Sequence, residues 1–160
     1  LPQSQLDRFM IKTSIGYPDF DSQVELLRDR QSSQPLDEIS EVISKDELLD
    51  IQDAVSRIHI SDDILKYITR LTEATRNHPS IVQGVSPRGA LALSHLAKAN
   101  AYLQGRNFVV PEDVMDIFVD VCNHRVILDQ KHKMTENRPS SVLEDILQQV
   151  KTPDISGAVV

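Results

Sequence analysis

The stretch "SPRGALALSHLAKANAYLQG", Ser86 to Gly105, decides what kind of fold this chain can adopt. Ser86 is a favoured helix N-cap, Pro87 suits the first helical position and Gly105 supplies a stop, so the spacing predicts one long helix from Pro87 to about Gln104. Along it Ala92, Leu96, Ala99 and Leu103 form one stripe, with Leu93, Ala97 and Ala101 beside it. Alanine on that face lets a second helix approach closely. Helix-on-helix packing is therefore the first expectation.

Working outward, "NFVVPEDVMDIFVDVCNHRV" (107–126) repeats the grammar of "RIHISDDILKYITRL" (57–71): a few extended apolar residues, an acidic helix start, then apolar residues at helical spacing. In the first the stripe is Val114, Ile117, Phe118, Val121 and Cys122; in the second it is Ile64, Ile68, Leu71 and Thr75, ended by His78-Pro79. Two short extended segments that pair, each delivering a helix, are the expectation. Further helices are predicted over 19–31, from Ser44 onward with Ser44 and Glu47 in capping-box spacing, and over about 141–150 with Val142, Leu143, Ile146 and Leu147 on one face. Polar runs around 32–40 and 129–140 read as surface loops. Residues 1–18 read as a helix end feeding a strand, around Phe9, Met10 and Ile11, whose sheet is missing.

Composition agrees with a mainly α fold, a bundle of about five or six helices with two short extended segments. Of 160 residues 40% are apolar and only 4% aromatic, with no Trp, so aliphatic side chains must build the core. A net charge of −7 argues against a general role on nucleic acid or an anionic membrane, and no run approaches the ~20 apolar residues that span a bilayer. One cysteine, Cys122, excludes an internal disulfide and fits a reducing, cytoplasmic setting. The first residue is Leu and no signal peptide is evident, so the expectation is that the chain is a piece of something longer.

"GVSPRGAL", Gly84 to Leu91, has the glycine spacing of a phosphate-binding P-loop, but Ala90 and Leu91 stand where Lys and Ser or Thr are needed, and no hydrophobic strand precedes it. A P-loop is rejected. Arg88 is the more informative residue. In the first turn of the long helix it opposes the helix dipole, at roughly 0.3–1 kcal/mol when exposed, a misfit that an anion docked at the helix start would remove. Pairing with a surface carboxylate is the simpler account from spacing alone. His59, His78, His95, His124 and His132 are scattered at no ligand spacing, so no metal site is expected. His124-Arg125 reads as a cationic helix end with no catalytic part, "DQKHK" as a solvated basic loop, and Arg76 has no assigned role.

Several separated motifs, in order, resemble the C-terminal part of a MoxR-family AAA+ ATPase: "LPQSQLDRF" (1–9), "EATRNHP" (73–79), "SPRGALALSHLAKANAYLQGRNFVVPEDV" (86–114) and "NHRVIL" (123–128). The likeness runs from Leu1 to about Pro153. It implies an AAA+ lid-like helical domain over 19–153, a remnant of the α/β ATPase core over 1–18 and a flexible tail over 154–160. Arg88 matches the sensor 2 arginine of the lid, which reaches the γ-phosphate of ATP, with Ser86 beside it at the nucleotide; Arg8 matches the arginine finger offered to a neighbouring subunit. Gly89 departs from the family pattern, in which Ala or another residue often follows the arginine, and Gln3-Ser4 replaces a more acidic pair; neither removes a charge.

The same resemblance implies that the full-length protein uses ATP and Mg²⁺ and works as a homo-oligomeric, hexameric ring. It implies chaperone-like action on protein clients, with von Willebrand factor A domain proteins as partners. The 160-residue piece has neither Walker A nor Walker B element, so it is expected to bind no cofactor alone and to be inactive alone. Without the resemblance, Arg8 reads as a solvated helix-end residue and the chain as a helical protein-interaction module with no nucleotide role. A DNA-binding domain is disfavoured by charge.

Overall fold

A computed structural model describes residues 2–30, 39–129 and 138–154. Most of the expected loop over 32–40, residues 130–137 of the one over 129–140, including His132, and all of the expected tail except Asp154 lie outside the described residues. The chain forms two compact units, residues 13–52 and residues 1–12 with 53–160. Seven helices and one small sheet occur among the described residues.

In the smaller unit, helix α2 (Phe20–Asp29) starts because the Asp19 carboxylate accepts the Ser22 N–H at 2.8 Å. Helix α3 (Lys45–Ser56), which begins there and ends in the larger unit, opens on the expected capping box. Ser44 N–H donates to Glu47 Oε2 at 2.7 Å, and Glu47 N–H donates to Ser44 Oγ at 3.2 Å. Neither helix buries a residue, and Ile15, Tyr17 and Phe20 are exposed.

The larger unit holds the core. Its chain opens with a single helical turn, α1 (Gln3–Leu6), and resumes after α3 with α4 (Asp62–Asn77), started by Ser61 and ended at His78. Ile64, Tyr67, Ile68, Leu71, Thr72 and Thr75 line its buried face, the predicted stripe widened by its neighbours. Next come β1 (Ile81–Gln83), α5 (Pro87–Leu103), α6 (Pro111–Cys122), β2 (Ile127–Leu128) and α7 (Pro139–Gln149). Helices α5 and α6 share the most extensive face, while α4 packs on α5, α6, α7 and β1.

Close packing of α5 rests on small residues. Its buried positions are Gly89, Ala92, Leu93, Ala97 and Ala101, so the buried stripe lies one position round the helix from the Ala92–Leu103 row, and Leu103 is 80% exposed. Leu103 is the last helical residue, and the chain then turns away through Gly105, whose φ of 72° suits glycine.

Both extended segments pair as expected. His59 and Phe108 form a parallel bridge, with His59 N–H donating to Asn107 O and Val109 N–H to His59 O, each at 2.9 Å. Each segment runs straight into its helix, α4 or α6. The start of α6 is fixed by Asp113, 1% exposed, which accepts the Val110 N–H at 2.8 Å and both terminal nitrogens of Arg106 at 2.6 and 2.7 Å.

Two features differ from the sequence reading. The antiparallel pair β1–β2, with Ile81 opposite Leu128, is too short to leave a periodic signal. Residues 9–11 form no strand: with no sheet beside them among the described residues, they are held by the turn bond from Phe9 N–H to Leu6 O at 3.1 Å, by the adjacent Lys12 N–H, which donates to Asp120 O at 2.9 Å, and by side chains of the turn after α6.

The α5–α6 contact generates a test. Ala97→Leu, at a fully buried position, is expected to lower stability by about 1–3 kcal/mol through overpacking. Leu103→Ala should change it by less than ~0.5 kcal/mol. Urea midpoints compared at equal m-value read both.

Candidate functional site

The start of α5 is built residue by residue. Ser86 Oγ accepts the Gly89 N–H at 3.2 Å and the Ser86 carbonyl accepts the Ala90 N–H at 3.1 Å. Pro87 has no N–H, so the free donor of the first turn is the Arg88 backbone N–H. The Arg88 side chain is exposed, no acidic residue lies in the first turn, and among the described residues the guanidinium has no ion-pair or hydrogen-bond partner. A carboxylate pairing therefore does not account for it. Two donors on one residue are left facing solvent at the positive end of a 17-residue helix.

The loop before it is clamped on both backbone groups of Val85. Its N–H donates to Thr75 Oγ1 at 2.9 Å, and its carbonyl accepts from Arg76 Nε at 2.8 Å, both from the last turn of α4. Arg76 thus has a structural role. It also explains Gly84, where a Cβ would lie 2.7 Å from the Arg76 backbone.

Ser86 has a second partner that spacing could not show. Its hydroxyl donates to Asp7, 3.0 Å from both carboxylate oxygens, so Ser86 is simultaneously the cap of α5 and a tether to the opening segment. Asp7 also accepts from Arg125 Nε at 3.1 Å.

Arg125, in the turn after α6, is only 2% exposed. Nη1 donates to Met10 O at 3.1 Å and to Val121 O; Nη2 donates to Asp7 O at 3.2 Å and Phe9 O at 2.6 Å. With Nε on Asp7 all five N–H groups of the guanidinium are used, which is what a buried cation requires. The reading of His124-Arg125 as a simple cationic helix end is corrected accordingly: one bond does go to a helix-end carbonyl, but the others bind residues 7–10. Gly89 belongs to the same contact, since a Cβ there would sit 2.5 Å from Val85 Cγ1 and 2.8 Å from Arg125 Cδ.

Arg8 sits between two clamped residues. The carbonyls of Asp7 and Phe9 are both held by Arg125, while the Arg8 side chain is exposed and has no side-chain partner among the described residues. His124 adds a further grip: its Nε2 is 2.9 Å from Phe9 O, and its own carbonyl accepts from Gln3 Nε2 at 2.8 Å. Arg8 and Arg88 are therefore alike, exposed guanidinium groups on fixed backbone, joined by the chain of contacts Gly89–Ser86–Asp7–Arg125. Sequence reasoning found the two ends and missed the joint.

Other groups carry less. Among the described residues no cluster of His, Cys, Asp and Glu could hold a metal ion. Cys122 is buried, and desolvation pushes its thiol up to about 12, leaving it unreactive at neutral pH. An open cavity of about 630 Å³ is lined by Ala54, Arg57, Ile58, Tyr102 and Arg106, but Arg57 is paired with Asp53 and Arg106 with Asp113, and none of Arg8, Ser86 or Arg88 lines it.

Comparisons with known proteins bear on this geometry. Residues 73–146, from the end of α4 through most of α7, match the family described as AAA lid domain. Over 99% of its length the chain is 35% identical to the uncharacterized protein YeaC of Bacillus subtilis, covering 50% of that protein. It is 28% identical to the chaperone MoxR1 of Mycobacterium tuberculosis, over 98% of this chain and 43% of that one. A putative ATPase from Cytophaga hutchinsonii has a similar structure, with a TM-score of 0.86 and 31% identity over 96% of this chain and 49% of its own. The chain thus spans about half the length of these relatives or less.

His124 makes the opening segment's attachment sensitive to acid. Burial, ahead of the charges of Arg125 and Lys12, holds its pKa below the ordinary 6.5, against the opposing influence of the Phe9 bond and Asp7. The folded state therefore binds fewer protons than the unfolded one, so the His124 contribution is present above pH 6.5 and is lost as pH falls below it. Denaturation midpoints at pH 7.5 and 5.5 should show a shallower loss in His124→Gln than in the wild type; equal slopes would remove His124 as the cause.

Proposed function

Since the chain belongs to the MoxR family of AAA+ ATPases and contributes their lid, we propose that it couples ATP binding and hydrolysis in the full-length protein to chaperone-like remodelling or assembly of partner proteins. Residues 1–18 are then the end of the nucleotide-binding core, 19–153 the lid and 154–160 a tail. The single observation that carries this reading is Arg88: an exposed guanidinium without a partner and a free backbone N–H on one residue, at the positive end of a long helix. Arg88 acts as sensor 2, presenting a planar fork of donors to the γ-phosphate. Ser86 serves it by holding the helix start, since its hydroxyl already donates to Asp7 and accepts from Gly89.

Arg8 acts as the arginine finger toward a neighbouring subunit's nucleotide in a homo-oligomeric, hexameric ring. Exposure and a fixed backbone suit it to that role, because the side chain is available without first breaking an ion pair. As the phosphoryl group transfers, charge moves onto its outer and bridging oxygens, and preorganised guanidinium groups stabilise that redistribution. Mg²⁺ supplies charge neutralisation on the phosphates, and no residue of this chain is assigned to hold it. Clients are proteins, with von Willebrand factor A domain proteins among the partners; the name chaperone carried by the MoxR1 relative supports that direction.

A helical protein-interaction module without nucleotide remains the second reading. It is favoured by the exposed apolar side chains Ile15, Tyr17 and Phe20 in the smaller unit.

Turnover measurements on the full-length protein separate the two. Arg88→Ala is expected to lower kcat on the order of 10²-fold with the thermal melt unchanged. Arg8→Ala should lower it on the order of 10³-fold, and mixing Arg8→Ala with wild-type subunits should depress activity below the weighted sum. Wild-type turnover in both variants, or no affinity for ATP, would leave the interaction module standing.

A further inference from the structure

Two exposed arginines in a chain of net charge −7 are each attached, through the residues next to them, to one buried side chain. On one side Arg125 holds the carbonyls of Asp7, Phe9 and Met10, so the backbone on either side of Arg8 is fixed by bonds from the same guanidinium. On the other side its Cδ packs where Gly89 lacks a side chain, directly after Arg88. Asp7 closes the connection. It accepts from Arg125 Nε and from Ser86 Oγ, and Ser86 in turn accepts the Gly89 N–H. Every donor in this series has an acceptor, and the only charges are one buried cation and one carboxylate.

Resting on the reading of Arg8 and Arg88 as nucleotide-facing groups, we infer that Arg125 and Asp7 are positioning residues shared by both, coupling a subunit's own nucleotide site to that of its neighbour. The physical reason is that the node has no slack. Movement of the α5 start relative to residues 7–10 must either carry Asp7 with it or break the Ser86–Asp7 contact, which strips a part-buried carboxylate of a hydrogen bond. A shift of Arg88 on meeting a phosphate is thereby transmitted to the backbone of Arg8. Neither Arg125 nor Asp7 touches the nucleotide; each acts through an arginine that does.

The test uses the full-length ATPase with Asp7→Asn, Ser86→Ala, Ser86→Thr and Arg125→Lys, each first checked by thermal melt. Asp7→Asn and Ser86→Ala leave the bonds from Arg125 to the carbonyls intact and carry the test if Arg125→Lys does not fold. Expected are losses in kcat of about 10- to 100-fold, the scale of a catalytic group misplaced by about an ångström. KM for ATP should change much less, and Ser86→Thr should recover most of the loss. Combined with Arg8→Ala or Arg88→Ala, Asp7→Asn should give a loss smaller than the product of the separate losses, because it acts in part through the arginine already removed. A merely structural node would lower the melting temperature and leave kcat per folded enzyme unchanged, and that result overturns the inference. So do losses that multiply fully with those of Arg8→Ala and Arg88→Ala. If the two arginine variants themselves turn over normally, the functional reading fails and this inference falls with it; if they are impaired while folded Asp7→Asn is not, only the coupling falls.

Discussion

A cation that is almost wholly out of water dictates the organisation of this molecule. Removing Arg125 from solvent is tolerable only because four backbone carbonyls and one carboxylate meet it, and deleting a partner of such a buried ion typically costs ~3–5 kcal/mol. That demand explains several otherwise arbitrary features. Residues 7–10 follow the guanidinium instead of a sheet, Gly89 has no side chain because Arg125 and Val85 fill the space, and Asp7 lies within reach of the cap of α5. The opening segment, at the far end of the sequence from α6, becomes part of the larger unit.

The second constraint is the slim face of α5. With Gly89, Ala92, Ala97 and Ala101 buried, α6 can approach closely, and Leu93, Val114, Phe118 and Val121 fill what remains. The two short extended segments bond to one another at the point where their helices begin, so α4 and α6 leave a common anchor. This scaffold fixes the start of α5 through Val85 and Ser86, and leaves Arg88 as its projecting element.

Features encoded within one helical turn were legible in the sequence. Ser86 and the Ser44–Glu47 pair cap the helices they were expected to start, and the stripes of α4, α6 and α7 bury largely as periodicity demands. Arg8 and Arg88 could be singled out because a family resemblance supplied a reason; chemistry alone favoured solvated residues. What joins them was not legible. The Arg125–Asp7 contact spans 118 positions, and an arginine after a helix looks the same in sequence whether it faces water or the core. Leu103 was misplaced because α5 buries the neighbouring Leu93–Ala97–Ala101 row instead of the row that ends in Leu103, and β1–β2 escaped because five residues leave no period.

The deep burial of Cys122 has a practical side. Its thiol stays protonated at neutral pH and out of reach, so maleimide chemistry should pass it by without the need for a cysteine-free background. A fluorophore attached through a new cysteine at the solvent-facing position of Leu103 would then report motion of α5 from the end opposite Arg88, leaving the polar series at its start chemically untouched.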